Sequence, residues 1–188
     1  MTAAVAEQLV RELLADLPAR RQHSLAVGAR VVQMCGLLHP EMEEALIPAG
    51  YLHDIGYATD IRVTGLHQID GARWVANHFP HADLTARLIA HHSLAVHEAS
   101  ERHLLVDLLD EFPSLTSNAE DEALSILTYA DMTTSPHGTP ISVDERFRDI
   151  YSRYSTSGIV PRAMRKAEPG VRATVRVVQE RMESRASA

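Results

Sequence analysis

Apolar residues recur at helical spacing along almost the whole of this 188-residue chain. Val5, Leu9, Val10, Leu13 and Leu14 form a stripe that predicts an amphipathic helix over Ala3 to Leu17, stopped by Pro18. A second helix is predicted from about Ala19 to Leu38, with Leu25, Ala29, Val32 and Gly36 on one side and His23 near its first turns. Pro40 followed by Glu41, Glu43 and Glu44 puts acidic residues in the first turn of a third, which suits the helix dipole. This helix runs to His53-Asp54, and Pro48 predicts a kink or break just before Ala49. Thr59, Asp60, Thr64 and Gly65 then interrupt the period, so Ala58 to Leu66 reads as a loop.

Helical spacing resumes at Ile69, Ala72, Val75 and Ala76, predicting a helix over His67 to Phe79 in which Gly71 and Ala72 allow a close neighbour. Asp83 is expected to cap a helix carrying Leu84, Leu88 and Ile89 into His91-His92. A further helix covers about Ala95 to Leu109, and the turn-rich Glu111 to Asn118 follows. Ala123, Leu124, Ile126, Leu127 and Ala130 predict a helix over Glu120 to Met132 that delivers Asp131 at its end. After a loop at Thr133 to Pro140, Ser142 with Glu145 is a capping box that starts a helix to Tyr154. Pro161 to Ala167 and Val171 to Ser184 close the chain as charged helices. There is no alternating strand pattern, no repeat and no Gly-rich phosphate loop. The predicted fold class is therefore all-α, a single-domain bundle of about seven to nine helices over residues 1–188.

Composition narrows the function. The chain is long enough to bury a core without disulfides, and its one cysteine, Cys35, lies among apolar neighbours where it reads as a small buried residue. The start lacks the features of a signal peptide and no run approaches membrane-spanning length, so a cytoplasmic protein with no membrane partner is expected. A net charge of −7 and a single lysine, Lys166, argue against nucleic-acid binding and favour a small molecule. Association into a homodimer stays open. Of eleven histidines, His39, His78, His81, His97, His103 and His137 sit beside proline, charged or turn residues and read as solvated.

The other five carry the chemistry. His53-Asp54 ends an apolar helical stretch, where two such side chains are costly to bury without a partner. His91-His92 follows Leu88, Ile89 and Ala90 and is costly in the same way. Asp131 lies at a helix C-terminus, where a carboxylate meets the negative end of the dipole and wants a cation. Taken singly, His23 reads as a surface or satisfied core histidine and Asp131 as a cap. Taken together, metal binding is the stronger reading.

In order, these residues spell H…HD…H…HH…D, through His23, His53-Asp54, His67, His91-His92 and Asp131. The pattern resembles the HD superfamily of metal-dependent phosphohydrolases, and the resemblance covers roughly Gln22 to Asp131. It implies an HD-type bundle with a metal-site core at about 19–135, on which the C-terminal helices at 142–186 pack. It also implies that His23, His53, Asp54 and Asp131 hold one ion, and that Asp54 bridges to a second held with His67, His91 and His92. The cofactors are then two divalent transition-metal ions, iron or manganese ahead of magnesium, cobalt, nickel or zinc. The implied activity is hydrolysis of a phosphate ester or anhydride of a nucleotide or other small phosphorylated metabolite by a metal-bridging hydroxide. Asp54 and His53 would be the catalytic residues.

The chain departs from the family's commonest pattern at Tyr57, where many relatives have a lysine that suits phosphate. Arg62 and Arg146 are the expected replacements as substrate contacts, although each also reads as a surface partner of Asp60 or Glu145. Gly71-Ala72-Arg73 stands where a cyclic-di-GMP phosphodiesterase of the HD-GYP type would carry its triad. Two other readings remain: a mixed-valence di-iron HD-type oxygenase, disfavoured by the lack of a tyrosine in Leu13 to Leu17, and a non-catalytic nucleotide sensor, disfavoured by the complete ligand set.

Overall fold

The computed structural model describes residues 1–37 and 40–186, so the expectation for His39 falls outside the described residues. Ten α-helices form among them: α1 (Ala3–Leu13), α2 (Pro18–Met34), α3 (Pro40–Leu52), α4 (His67–His78), α5 (Asp83–His91), α6 (Val96–Glu101), α7 (Leu105–Glu111), α8 (Asn118–Met132), α9 (Val143–Arg153) and α10 (Ile159–Ala186). Short 3-10 turns cover Cys35–Leu37, Ile55–Tyr57 and His92–Leu94. No strand forms among the described residues; one isolated bridge joins Thr134 to Pro140.

Local chemistry sets the helix starts. The Thr2 hydroxyl accepts from the Val5 amide at α1, and Pro18 occupies the first turn of α2, where its missing N–H costs nothing. Ser142 and Glu145 form the expected capping box at α9, and Ser117 with Glu120 forms another at α8. Asp83 does not cap α5: it is the first helical residue, and the cap position is Ala82 with no side-chain bond.

Three predicted boundaries change. α3 runs unbroken through Pro48, with Leu46, Ala49 and Leu52 fully buried on both sides of it. α10 likewise continues through Pro169, so the two closing helices are one; its stripe Ala163, Ala167, Val171, Val175 and Val178 is buried along its length. In each case burial of a continuous apolar face outweighs one missing backbone bond. Conversely, the stretch predicted as one helix over Ala95 to Leu109 divides at His103, which takes a left-handed φ of 61° while the Leu104 amide bonds back to the Ala99 carbonyl.

Two buried faces also differ from the predicted ones. In α1 the fully buried line is Ala6, Val10 and Leu14, leaving Val5 exposed. In α2 the buried residues are His23, Ser24, Val27, Gly28, Val31 and Met34, while Ala29 and Val32 are exposed. Gly28 is required there, because a Cβ would overlap the Tyr51 ring of α3. α2 packs on α3, which also meets α1, α5 and α8; α4 packs on α5, and α10 lies against α6 and α8. The buried core is shared by these helices, and the polar residues buried with it gather at the ends of α2, α3, α5 and α8.

Candidate metal centre

His23, near the start of α2, is carried into the interior by the helix's buried face. His53 and Asp54 follow the last turn of α3, and His67 opens α4. A Cβ on Gly56 would overlap the His67 carbonyl oxygen, and Gly71 sits against the Gly56 amide. These glycines let the start of α4 close onto the turn after Asp54, which sets His67 Nε2 3.3 Å from Asp54 Oδ1. The intervening loop is pinned by Asp70, which accepts from the amides of Val63, Thr64 and Gly65. Asp131 arrives on the last turn of α8.

The imidazoles are oriented by backbone carbonyls. His23, His53 and His92 each place Nδ1 on a carbonyl, those of Ser135, Gly50 and Ile89, at 3.0, 3.0 and 2.7 Å. A carbonyl only accepts, so Nδ1 carries the proton; in His53 and His92 Nε2 then keeps a lone pair for a ligand, while His23 Nε2 lies 3.0 Å from Asp131 Oδ1, where a bound ion would take the place of the proton between them. His53 Nε2 is buried with no hydrogen-bond partner. The ligand atoms of His23, His53 and Asp131 lie within 4.8 Å of one another, as do those of His53, Asp54 and His92. The His92 ring stands 5.2 Å from that of His53 and 5.3 Å from that of His67, edge to face. Asp54 links the groups: Oδ2 lies 3.6 Å from His53 Nε2 and 3.9 Å from His23 Nε2, and Oδ1 faces His67.

Charge follows from burial and neighbours. Burial pushes Asp54 and Asp131 upward, yet both are held well below the usual carboxylate range, Asp54 by Arg20 and then the histidines, Asp131 by His23 and Arg146. Burial lowers His53, His67 and His92. The site thus holds ionised carboxylates beside the neutral imidazoles of His53, His67 and His92, the protonation states a transition metal requires. An orphaned imidazole nitrogen and this nitrogen–oxygen donor set fit a divalent ion.

Of the seven expected ligands, His91 is not brought to the cluster. Its Nε2 lies 2.7 Å from the Phe112 carbonyl, turned away by the helical rotation that carries His92 inward. Arg62 is exposed and lines neither cavity beside the cluster. Arg146 is where the sequence suggests, 5% exposed, with Nη2 3.1 Å from Asp131 Oδ1. Three contributors went unread in the sequence. Arg20 puts Nη1 2.7 Å from Asp54 Oδ2 and its guanidinium 4.0 Å above the Tyr57 ring, the residue that stands where many relatives have a lysine. Arg20 lies one turn before His23 on α2, a spacing that by itself marks nothing. Ser93, in a left-handed conformation at φ 52°, donates to Asp131 Oδ2 at 2.5 Å. Arg153 borders the site from the end of α9.

The cluster opens into a chamber. Arg20, Tyr57, Gln68, Glu98 and Arg146 give it a polar wall, and Ile150, Val160 and Met164 an apolar one. Gln68 Oε1 is a buried acceptor without a donor. Among the described residues no helix is long and apolar enough to cross a membrane. No curated protein and no solved structure matches the chain significantly. The family model described as "HD domain" matches residues 20–131, the span that supplies every member of the histidine and aspartate cluster. With more than half of its length covered by that match, the chain belongs to the HD domain family, whose members are largely metal-dependent hydrolases.

Proposed function

We propose that the protein is a metal-dependent phosphohydrolase that cleaves a phosphate ester or anhydride of a nucleotide or other small phosphorylated metabolite. The observation that carries this reading is the buried, unpartnered Nε2 of His53 beside Asp54, whose two oxygens face different imidazoles. His23, His53, Asp54 and Asp131 would hold one ion, and Asp54, His67 and His92 a second. Bound divalent ions would lower the pKa of a water and neutralise phosphate oxygens.

The chain's own residues do the rest. Arg20 and Arg146 stand at the chamber wall with donors directed at the cluster carboxylates, placed to take phosphate oxygens as these enter. Tyr57 supports both the Arg20 guanidinium and the His67 ring, which stacks on it at 4.2 Å. Ser93 fixes the rotamer of Asp131. Ile150, Val160 and Met164 exclude bulk water from one side. In hydrolysis the water oxygen bonds to phosphorus, the bond to the leaving oxygen breaks, and the water's proton ends on the leaving group.

The test is a screen of aryl phosphates, nucleoside mono- and triphosphates, cyclic nucleotides and dinucleoside polyphosphates with Mn, Fe(II), Co and Mg. Metal-dependent turnover should appear with at least one substrate and fall more than about a hundredfold in His53→Ala. Inactivity on every phosphate, with oxygen uptake by the reduced iron form, would replace this reading with the oxygenase.

A further inference from the structure

A second cavity adjoins the chamber, walled by Ala19, Arg20, His23, Pro136, Arg146 and Arg153. Its lining holds three arginines and no carboxylate. The same three arginines also line the main chamber, so their guanidiniums stand between the two spaces. Arg146 is 5% exposed, and its Nε is buried with no hydrogen-bond partner. A buried guanidinium donor left unpaired is costly, and an anion that reached it would relieve that cost.

Charge points the same way. Arg20 faces Asp54, Arg146 faces Asp131, and Arg153 pairs with Asp149 at 2.7 Å, which Arg146 also approaches at 3.8 Å. Asp54 and Asp131 belong to the cation-binding cluster. Once they serve cations, three guanidiniums share one carboxylate, Asp149, and the excess is positive. A planar fork of donors matches phosphate oxygens better than any single ammonium.

Resting on the phosphohydrolase reading, we propose that this arginine-walled cavity is a subsite for a second phosphoryl group. The substrate is then a phosphoric anhydride, or another compound with two neighbouring phosphoryl groups, rather than a simple monoester. One phosphoryl group lies at the histidine and aspartate cluster and its neighbour among Arg20, Arg146 and Arg153.

Calorimetric titration of the metal-replete protein with methylenebisphosphonate and with methylphosphonate tests this directly, because neither is hydrolysed. The bisphosphonate should bind at least about tenfold more tightly, and Arg153→Gln should remove most of that preference. Arg153 is exposed enough for the variant to fold, and its melting temperature verifies that. Equal affinity for the two probes overturns the subsite. So does a preference that survives both Arg153→Gln and Arg146→Gln, since chelation by the ions alone would then explain it. Hydrolysis of an aryl monoester without the preference overturns the subsite and spares the phosphohydrolase reading. The preference without hydrolysis of any phosphate does the opposite.

Discussion

Adjacent side chains on a helix diverge by about 100°, and of His91 and His92 at the end of α5 it is His92 that turns into the cluster. His92 leaves the helix with an extended ψ of 152° and keeps its Nε2 toward His53 and His67, while His91 bonds the Phe112 carbonyl. The expected consequence is a division of phenotypes. His92→Ala should lose bound metal. His91→Ala should retain it and instead cost about 1–3 kcal/mol of folding stability through a buried carbonyl left without its donor. Elemental analysis and denaturant unfolding of the two variants measure both; metal lost from His91→Ala alone would reverse the assignment. The same scale explains what the sequence showed and hid. The ligand residues announce themselves, being polar at the ends of apolar runs. Arg20 does not, because an arginine in the first turn of a helix is ordinary until its neighbour Asp54, distant in sequence, is known.

Among the helices, apolar periodicity located most elements, and failures came where polar residues share the buried face. α2 buries His23, Ser24 and Gly28, so its apolar residues alone describe the wrong side. Proline was over-read in α3 and α10, where long buried stripes continue past it. Capping chemistry is transferable between sequence and structure, and Glu120 offers a test. Amide bonds from Thr116 and Ser117, with Arg87 at 2.8 Å, hold its carboxyl down at about 2 against an ordinary 4.5. A depressed folded-state value means stability present above pH 4.5 and lost as pH falls toward 2. Glu120→Gln should therefore lower stability by about 1 kcal/mol at neutral pH, with the gap from wild type closing through that acid window. A gap independent of pH would show that the carboxylate charge plays no part.

At the scale of the molecule, the family match ends at residue 131, yet the chamber is completed by α9 and α10. Residues 20–131 supply the cluster, and Arg146, Ile150, Arg153, Val160 and Met164 add to the chamber's wall. Apart from Arg146, this last third is legible in the sequence only as helices, since nothing in its periodicity says which face meets the site. Met164→Trp should fill the chamber and cut phosphate hydrolysis by more than about tenfold while leaving metal content unchanged. Loss of metal in that variant would place α10 in the scaffold of the cluster instead.

The cluster of His23, His53, Asp54, His67, His92 and Asp131 should bind metal in solution. Elemental analysis of wild type and His53→Ala, each exchanged into metal-replete buffer and desalted, measures it most directly. The expected result is two transition-metal ions per wild-type chain and at least one fewer in His53→Ala, with a melting temperature that falls when wild type is stripped by chelator. A folded wild-type chain that holds no stoichiometric ion, and melts at the same temperature with and without chelator, would contradict it.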